Sequence, residues 1–526
     1  MPRLAQHWLH LACLWTLAIC LPVFQVLSKS PDWLIAEHAG FPDLPLVTVL
    51  YVLLPPTVGI GLEWLAYRWS DRAGTLLHLA AVAVLVGAYV LQLLKDEFDP
   101  QRRSLYLIAL AVGALFAWGY RRGRLLPAVL TVLSPVTAVV LVWFLALSSV
   151  APRAWGNSAP AAHAPPVPAA TPVVMVIFDE FSSLELLDRR GAIDAARFPH
   201  LAALAREGTW HRNATTVADA TITAVPAILT GRWEPNREPV EEDHPHNLFL
   251  YLRGRYDLNA EEPITYLCTF CDHRSWTART RRVASSYWDL TKQRLRRGDP
   301  EAFLGVPYRT IAHRKEAFRR WTASIRGGRT LNFLHIQFPH TPWWYTADGR
   351  QYTDHVVIPE LHDETWTKDK AAVDGYLRRY VQQLRFLDRL VGELRASLVR
   401  RGIWDDALVV LVADHGVAFV PGASRRFVSL ANFPEIASVP LFVKAPHQHR
   451  GGTSDELART IDVVPTIADY LGVHWPTQGR SLRRPVRRSD VVVSTFGGRR
   501  ADASADAYRS LRERAVTRLQ ADLRSP

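Results

Sequence analysis

The chain has 526 residues, 48% of them hydrophobic and 21% charged, which is enough for two or more domains. Its formal net charge of +12 and pI near 9.7 would suit nucleic acid or anionic phospholipid as a partner. Long uncharged segments fill the first 150 residues, so the charge indicates a membrane surface, and we expect no nucleic acid partner.

Five apolar segments occupy the N-terminal region, and each approaches the roughly 20 residues needed to cross a bilayer. They cover residues 8–28, 44–66, 74–94, 104–120 and 126–148. No small-residue cleavage site follows the first segment, and further segments come after it, which argues against a signal peptide. The sequence therefore predicts a multi-pass transmembrane helical domain over residues 1–150.

The loops between these segments predict their orientation. The loop after the first segment is acidic, whereas basic residues precede the first segment and follow the second and fourth. These are Arg3, Arg68, Arg72, Arg121, Arg122 and Arg124. Because basic loops stay in the cytoplasm, we expect five crossings to leave residue 150 outside. The expected location is the inner or plasma membrane, with the following domain extracytoplasmic.

A Pro- and Ala-rich stretch over residues 151–171 predicts a semi-rigid linker. Beyond it, β-branched apolar runs alternate with helical patterns, which is typical of an α/β domain with a mostly parallel central sheet. The predicted strands are 173–178, 331–336, 407–412 and the shorter 440–444, and the clearest helices are 371–400 and 462–471. This domain is expected over 172–490, followed over 491–526 by a last strand and an Arg-rich, solvated or membrane-surface helix.

Acidic and imidazole side chains follow three of the predicted strands. Asp179 and Glu180 end one strand, Asp414 and His415 end another, and His340 lies just beyond a third. Ligands of parallel sheets collect at the carboxyl ends of strands, so we expect these side chains to meet. Carboxylates and imidazoles are good ligands for zinc or manganese, and a metal would offset the cost of their burial.

A hydroxyl-rich loop lies far from these clusters in sequence. Residues 215–223 are small and polar, and they lead into a short apolar helix predicted over 224–229 and closed by Gly231. Thr221 lies at this junction, where the free N–H groups of a helix N-terminus donate to either a capping hydroxyl or an anion. A threonine hydroxyl becomes a competent nucleophile when it is bound to a dication at such a helix end.

The four cysteines form two pairs with different expectations. Cys13 and Cys20 lie in the first membrane segment and are expected to be inert. Cys268 and Cys271 form a C-x-x-C motif without the second ligand pair that zinc requires. A structural disulfide in an oxidising compartment and a redox motif both fit this spacing, and the disulfide is the preferred interpretation.

Six short motifs in this order resemble the sulfatase and alkaline phosphatase superfamily over about residues 172–480. They are Val-Ile-Phe-Asp-Glu, Phe-Pro-His-Leu-Ala-Ala-Leu-Ala-Arg-Glu-Gly-Thr, Val-Pro-Ala-Ile-Leu-Thr-Gly-Arg, Phe-Pro-His-Thr-Pro, Val-Ala-Asp-His-Gly and Ile-Asp-Val-Val-Pro-Thr-Ile-Ala-Asp-Tyr-Leu-Gly. Five membrane helices before such a domain are similar to the lipoteichoic acid synthases and the lipid A phosphoethanolamine transferases. The resemblance implies an alkaline-phosphatase-like fold and a metal-dependent hydrolase or transferase.

The resemblance also assigns roles to individual residues. Thr221, ten residues before Gly231, falls on the nucleophile of the family, and His340 falls on the histidine that binds the transferred group or protonates the leaving group. The implied metal ligands are Asp179, Glu180, Thr221, Asp414 and His415. The implied cofactor is a divalent ion, namely zinc, manganese or calcium.

Departures from the family pattern narrow the expected activity. Sulfatases carry Cys or Ser at the nucleophile, followed by Pro and Arg two and four residues later, whereas this chain has Thr221, Thr223 and Val225. Because threonine cannot be oxidised to formylglycine, we expect hydrolysis or transfer of a phosphate-linked group from a membrane lipid or cell-envelope substrate. Sulfuric ester hydrolysis and a non-catalytic membrane role are the alternatives, and the oligomeric state stays open.

Overall fold

The computed structural model describes residues 2–29, 31–98, 103–156, 167–272, 274–297, 311, 313–352, 358, 360–495, 498 and 500–524. The chain divides into two compact units. The first unit contains the described residues up to 156 together with a helix over Trp276–Arg297, and the second unit contains the remainder. Within the predicted linker, residues 157–166 lie outside the described residues.

The first unit contains the five predicted spans. Helical segments long and apolar enough to cross a membrane cover Arg3–Lys29, Asp43–Trp69, Asp71–Lys95, Arg103–Arg122 and Leu125–Leu147. The helices are α1 (Pro2–Trp15), α2 (Leu21–Lys29), α3 (Asp32–Ala36), α4 (Asp43–Trp69), α5 (Asp71–Glu97), α6 (Arg103–Arg122), α7 (Leu125–Leu133), α8 (Val136–Val142) and α9 (Ala151–Trp155), with π-helical turns at Thr16–Cys20 and Trp143–Leu147. Many large apolar side chains along these helices are exposed, as a lipid-facing surface requires.

Helix α13 (Trp276–Arg297) joins this bundle through polar contacts to α4. The Tyr287 and Thr48 hydroxyls lie 2.9 Å apart, and Arg279 Nε lies 2.9 Å from Asp43 Oδ2. These residues fall within the domain that the sequence predicts over 172–490, whereas the structure groups them with the helical unit. The grouping depends on contacts between residues more than 230 positions apart in the chain, which local patterns do not encode.

The second unit is built on a seven-stranded sheet. Its strands are β1 (Val173–Asp179), β2 (Thr209–His211), β3 (Asp257–Glu261), β4 (Thr330–Pro339), β7 (Leu408–Ala413), β8 (Leu441–Lys444) and β9 (Gly452–Ser454). They are arranged in the order β3-β4-β1-β7-β8-β2-β9. Every strand runs parallel to β1 except β8, which pairs antiparallel with β7 and β2. The predicted mostly parallel α/β domain is therefore confirmed.

Helices flank this sheet, and the four strands β4, β1, β7 and β8 are buried along their whole length. They are α10 (Pro199–Glu207), α11 (Thr221–Thr230), α12 (Leu248–Leu252), α14 (Arg314–Ser324), α15 (Lys370–Arg400), α16 (Phe433–Ala437) and α17 (Val463–Tyr470), with 3-10 turns at Leu184–Leu186, Thr269–Cys271 and Thr460–Asp462. The 371–400 prediction is confirmed within one residue, since Asp369 caps α15 and accepts from the backbone N–H of Ala372. The short helix predicted over 224–229 starts three residues earlier, at Thr221.

The C-terminal tail contains a strand and a helix where the sequence predicts them. Strand β10 (Asp490–Ser494) pairs with β11 (Arg500–Ser504) in a separate two-stranded sheet and does not extend the central one. The short strands β5 (Leu361–His362) and β6 (Thr365–Trp366) form another separate pair. Helix α18 (Ala505–Asp522) packs on the rest of the second unit through the buried Tyr508, whereas the sequence predicts a solvated or membrane-surface helix. The disulfide expected between Cys268 and Cys271 is present.

Candidate active site

The parallel register brings the predicted site residues to one edge of the sheet. Phe178 pairs with Ala413, so the residues that follow each of them, Asp179 and Asp414, lie side by side. Asp179 also pairs with Pro339, the residue before His340. Strands β1, β4 and β7 are neighbours in the sheet, which is why residues far apart in the chain meet where these strands end.

Three of these side chains form a group suited to a metal ion. One donor atom from each of Asp179, Asp414 and His415 lies within 4.8 Å of the others, and all three residues are fully buried. His415 Nε2 lies 3.9 Å from Asp179 Oδ1 and 3.6 Å from Asp414 Oδ2. Two carboxylates and one imidazole are oxygen and nitrogen donors of the kind that zinc and manganese take.

The backbone orients this group for binding a cation. His415 Nδ1 lies 2.9 Å from the Gly416 carbonyl, which only accepts, so the proton is on Nδ1 and the Nε2 lone pair faces the carboxylates. Asp414 Oδ1 accepts from the backbone N–H groups of His415 and Glu180 at 2.6 and 3.2 Å. Within the described residues, Asp179 Oδ2 and Asp414 Oδ2 are buried without a hydrogen-bond partner. A dication would satisfy both oxygens, so the residues fit the metal that the sequence implies.

The protonation of the carboxylates reflects this crowding. Burial raises the pKa of Asp179, and the neighbouring Asp414 raises it further. Burial likewise raises the pKa of Asp414 to about 6. The pKa of His415 is lowered, by burial and then by Arg426. Without a bound cation, the surroundings therefore disfavour the ionised forms of Asp179 and Asp414 and the protonated form of His415.

Gly416 lets the backbone next to His415 pack closely against a neighbouring segment. A Cβ at residue 416 would lie 2.0 Å from the carbonyl oxygen of Glu435, closer than any side-chain atom can approach. The Gly416 N–H donates to the Ile436 carbonyl at 2.9 Å in the same close contact. The glycine of the Asp-His-Gly motif is therefore required by backbone packing rather than by contact with a ligand.

Thr221 is the hydroxyl that faces the metal-type group. Its Oγ1 lies 3.3 Å from His415 Nε2 and 3.4 Å from Asp179 Oδ1. It is the first residue of α11, whose N-cap is Ala220, so Thr221 lies in the first turn of the helix. The free N–H groups of the first turn of α11 can hold an anion beside this hydroxyl.

Two other threonine hydroxyls of the loop over residues 215–223 have other partners. Thr223 Oγ1 donates to the Ala220 carbonyl at 2.9 Å and so caps its own helix turn. Thr216 Oγ1 lies 2.8 Å from the Ala218 carbonyl and 2.5 Å from that of Asp414, and it supports the loop behind the site. Of the three threonines considered from the sequence, Thr221 is the one whose hydroxyl contacts Asp179 and His415.

Glu180 is placed differently from the other predicted ligands. It lies outside the group formed by Asp179, Asp414 and His415, and its Oε2 is paired with the buried Arg425. Burial opposes its ionisation, but the attraction of Arg425 and then His340 outweighs that cost, so the pKa of Glu180 is lowered. Its role as a metal ligand stays a prediction.

The backbone at Glu180 is held in an unusual conformation. Its φ is +59°, in the left-handed region that side-chain-bearing residues rarely adopt. The buried Tyr380 hydroxyl donates to the Glu180 carbonyl at 3.0 Å and accepts from the Ser182 N–H at 3.1 Å. These bonds from α15 hold the turn that directs Asp179 and Glu180 to different partners.

His340 lies at the rim of the site. Its Nε2 is 3.2 Å from Glu180 Oε1, and its Nδ1 is 2.7 Å from the Thr341 carbonyl. The buried Arg314 and Gln383 hold this segment by donating to the His340 carbonyl at 2.6 and 3.2 Å. The imidazole is thus fixed with one nitrogen toward the acidic part of the site.

Arg425 and Arg426 are site residues that the sequence reasoning missed. Arg426 Nη2 lies 3.4 Å from Thr221 Oγ1, and Arg426 Nη1 lies 4.0 Å from Glu180 Oε1. Neither arginine follows an apolar run, so the strand pattern did not place them near the site. The sequence indicates them only as an adjacent basic pair. A guanidinium beside the hydroxyl suits the oxyanion of a transferring phosphoryl or sulfuryl group.

The pKa shifts lead to a stability prediction for Asp414→Asn. The folded-state pKa of Asp414 is raised from 3.8 to about 6, so ionisation of this group destabilises the metal-free fold as the pH rises through that range. With metal chelated, we expect the substitution to add about 2–3 kcal/mol to the free energy of unfolding above pH 6, and nothing below about pH 4. An asparagine side chain keeps the two backbone hydrogen bonds to Oδ1.

Thermal unfolding of the full chain in detergent, with chelator and then with zinc, measures this effect. We expect added zinc to stabilise the wild type more than it stabilises Asp414→Asn. Equal stability of the two chains at pH 8 in chelator would show that the carboxylate is compensated by protein groups alone.

The sulfatase family model matches residues 172–473, more than half of the 526-residue chain, and the chain belongs to this family. A curated relative is the multifunctional alkaline phosphatase superfamily protein PehA of Trinickia caryophylli, which is 29% identical over 394 residues, covering 59% of this chain and 76% of PehA. Lipoteichoic acid synthase of Staphylococcus aureus is 28% identical over 142 residues, covering 24% of this chain and 21% of the synthase. The chain therefore spans about a fifth of that second relative.

Solved structures of the superfamily are also similar in part. A phosphonate monoester hydrolase of Silicibacter pomeroyi is 19% identical, with a TM-score of 0.41, over 61% of this chain and 79% of that one. The lipoteichoic acid synthase LtaP of Listeria monocytogenes is 16% identical, with a TM-score of 0.38, over 67% of this chain and 91% of that one. The function of this chain is therefore inferred from the contacts within its site.

Proposed function

We propose that this protein is a membrane-bound metalloenzyme that hydrolyses or transfers a phosphate-linked group through a covalent intermediate on Thr221. The observation that carries the proposal is the position of the Thr221 hydroxyl, between the Asp179–Asp414–His415 group and Arg426. A nucleophile, a cation site and an oxyanion-binding guanidinium are the parts that phosphoryl transfer requires.

One group of residues would hold the metal ion. Asp179, Asp414 and His415 would hold a divalent ion, with Glu180 and Thr221 as the further predicted ligands. When bound, zinc, manganese or calcium would lower the pKa of the coordinated hydroxyl and offset negative charge on the transferred group. Ligand sets that combine carboxylates with an imidazole suit zinc and manganese best.

The proposed covalent step uses the contacts of Thr221, His340 and Arg426. The Thr221 hydroxyl first releases its proton to solvent, and the resulting alkoxide is the starting state of the cycle. The Thr221 oxygen then bonds to phosphorus as the bond from phosphorus to the leaving oxygen breaks, and the electron pair of that bond stays on the leaving oxygen. His340 donates a proton to that oxygen, since its Nδ1 is held by the Thr341 carbonyl while Nε2 faces the Glu180 carboxylate. Arg426 and the first N–H groups of α11 hold the phosphoryl oxygens.

The second half of the reaction returns the enzyme to its starting state. A water molecule or an acceptor hydroxyl attacks phosphorus, its proton passes to His340, and the bond from phosphorus to the Thr221 oxygen breaks. A water acceptor gives hydrolysis, whereas a hydroxyl on an envelope molecule gives group transfer. The name of the relative lipoteichoic acid synthase favours an envelope or lipid substrate for this chain as well.

Substrate class is tested on the full chain in detergent with aryl esters that share one leaving group. We expect the phosphate diester and phosphonate monoester to be hydrolysed in the presence of zinc or manganese, and the sulfate ester to be hydrolysed at least ~100-fold more slowly. Threonine cannot supply the aldehyde hydrate of a formylglycine sulfatase, which is the reason for this preference. Faster cleavage of the sulfate ester would support the sulfuric ester alternative instead.

The orientation is tested separately. The basic loops predict that the N-terminus is cytoplasmic and that residues from 172 onward are extracytoplasmic, where envelope substrates are found. Protease added to intact spheroplasts should therefore remove the second unit, and detergent lysis should add no new cleavage within it. Protection of residues 172–490 until the spheroplasts are lysed would contradict this topology.

A further inference from the structure

A second cluster of metal-type side chains lies within the helical unit. His7 is on α1, Glu63 on α4 and His78 on α5, so each comes from a different one of the first three spans. One donor atom from each residue lies within 4.8 Å of the others, and the residues are 7%, 1% and 2% exposed. The cluster uses no residue of the active site.

One carboxylate faces two imidazoles in this cluster. His7 Nδ1 lies 2.9 Å from Glu63 Oε2, and His78 Nδ1 lies 2.8 Å from Glu63 Oε1. The two imidazole rings are stacked, with centroids 3.6 Å apart. Both carboxylate oxygens and two ring nitrogens therefore converge on one small volume between three helices.

The buried negative charge of Glu63 requires a neighbouring cation. Among the described residues, its recorded ion partners are His7 and His78, and neither a lysine nor an arginine pairs with it. An ionised carboxylate buried between apolar spans is costly unless a cation neutralises it. The cation is either a proton carried by an imidazole or a metal ion held by all three side chains.

A hydrogen-bond chain behind His78 indicates how this ring is oriented. His78 Nε2 is 3.0 Å from the Tyr120 hydroxyl, which is 2.7 Å from His10 Nδ1. His10 Nε2 is 2.8 Å from Thr131 Oγ1, and that hydroxyl donates to the Pro127 carbonyl at 2.9 Å. Since the Pro127 carbonyl only accepts, a consistent chain has each ring Nε2–H donating toward it, with the Tyr120 hydroxyl donating to His10 Nδ1.

This direction places the proton of His78 on Nε2. Its Nδ1 lone pair then points at Glu63 Oε1 at 2.8 Å, and two lone pairs at that distance repel unless a cation lies between them. Metal-bound histidines share this arrangement, in which the nitrogen away from the ion donates to a second partner that fixes the ring. The chain through Tyr120 supplies that partner for His78.

We propose that His7, Glu63 and His78 form a second metal site, for a divalent transition-metal ion of the zinc type. Two imidazole nitrogens and a carboxylate make a zinc ligand set with room for a further ligand. The ion binds the two neutral imidazoles through Nδ1 and neutralises Glu63. Because the ligands come from three helices, the bound ion ties together the first three spans.

The test uses the full chain in detergent, with the catalytic ligands removed by His415→Ala and Asp414→Asn so that only the second site remains. Cobalt(II) is the probe, because its ligand-field absorption reports imidazole and carboxylate ligands directly and needs no activity. We expect one equivalent of cobalt to bind and to raise the thermal unfolding temperature. Zinc should displace the cobalt and remove the absorption.

Three further variants in that background decide the assignment. Glu63→Gln and His78→Asn should each abolish cobalt absorption, whereas His38→Asn, which removes an imidazole elsewhere in the same unit, should leave it unchanged. His38 has a φ of +55°, which asparagine adopts readily, and an asparagine side-chain oxygen can accept from Arg274 Nη2 as His38 Nδ1 does. Should Glu63→Gln or His78→Asn not fold, His7→Asn replaces it.

Two results would overturn the proposal. One is the absence of stoichiometric cobalt or zinc binding to the chain that lacks the catalytic ligands, which would assign the cation to a proton. The other is full cobalt binding after Glu63→Gln or His7→Asn. Neither result bears on the proposed catalysis at Thr221, whose ligands are a separate set.

Discussion

Replacing Thr221 by alanine is expected to lower turnover of a phosphate ester by about 10⁴-fold or more while leaving the metal bound. The substitution removes the one hydroxyl, among the three threonines considered, that contacts both Asp179 and His415. Asp414, Asp179 and His415 stay in place to hold the ion. Steady-state rates and metal content of the same purified sample measure the two effects together.

Thr223→Ala is the matched control, since it removes the same atoms two residues further along α11. The Thr223 hydroxyl bonds to the Ala220 carbonyl of its own helix, so we expect a loss of about 10-fold or less. If Thr223→Ala were inactive and Thr221→Ala active, both the observed helix start and the assignment of the nucleophile would have to be abandoned.

Glu180→Gln is expected to destabilise the fold by about 3–5 kcal/mol, because it leaves the buried Arg425 without its main counter-charge. The sequence alone places Glu180 among the metal ligands and does not reveal this ion pair. The control is Glu364→Gln, which removes the second partner of Arg425. The Glu364 side chain is 35% exposed, so we expect a loss of about 1 kcal/mol or less.

Thermal unfolding and metal content of Glu180→Gln separate its two roles. A destabilised chain that keeps its full complement of metal would make Glu180 the anchor of Arg425 and Arg426. Loss of metal comparable to Asp414→Asn would make it a ligand as well. Equal stability of Glu180→Gln and the wild type would contradict the importance of the ion pair.

Much of the site was predictable because its residues directly follow buried strands. The apolar runs before Asp179 and Asp414 mark strands whose ends must meet in a parallel sheet, and the register of β1 and β7 confirms that they do. Thr221 was found from the hydroxyl-rich loop before an apolar helix. The exact start of α11 was not, since several residues there can cap a helix while the observed N-cap is Ala220.

The remaining features depend on contacts that local patterns do not encode. Arg425 and Arg426 lie in a loop, and what matters about them is their contact with Glu180 and Thr221. The antiparallel direction of β8 is set by its neighbours rather than by its own four residues. Likewise, the cluster around Glu63 draws one residue from each of three spans, whose hydrophobicity conceals it.

The most direct test of the central claim is mass spectrometry of the Thr221 peptide, acid-quenched during the first turnover of a phosphate or phosphonate ester. The account predicts that the transferred phosphoryl or phosphonyl group appears on Thr221 of the full chain with metal bound. The adduct should be absent without metal, and absent from Thr221→Ala. Consumption of substrate with no adduct on Thr221 at any time, or an adduct on Thr223 instead, would contradict the account.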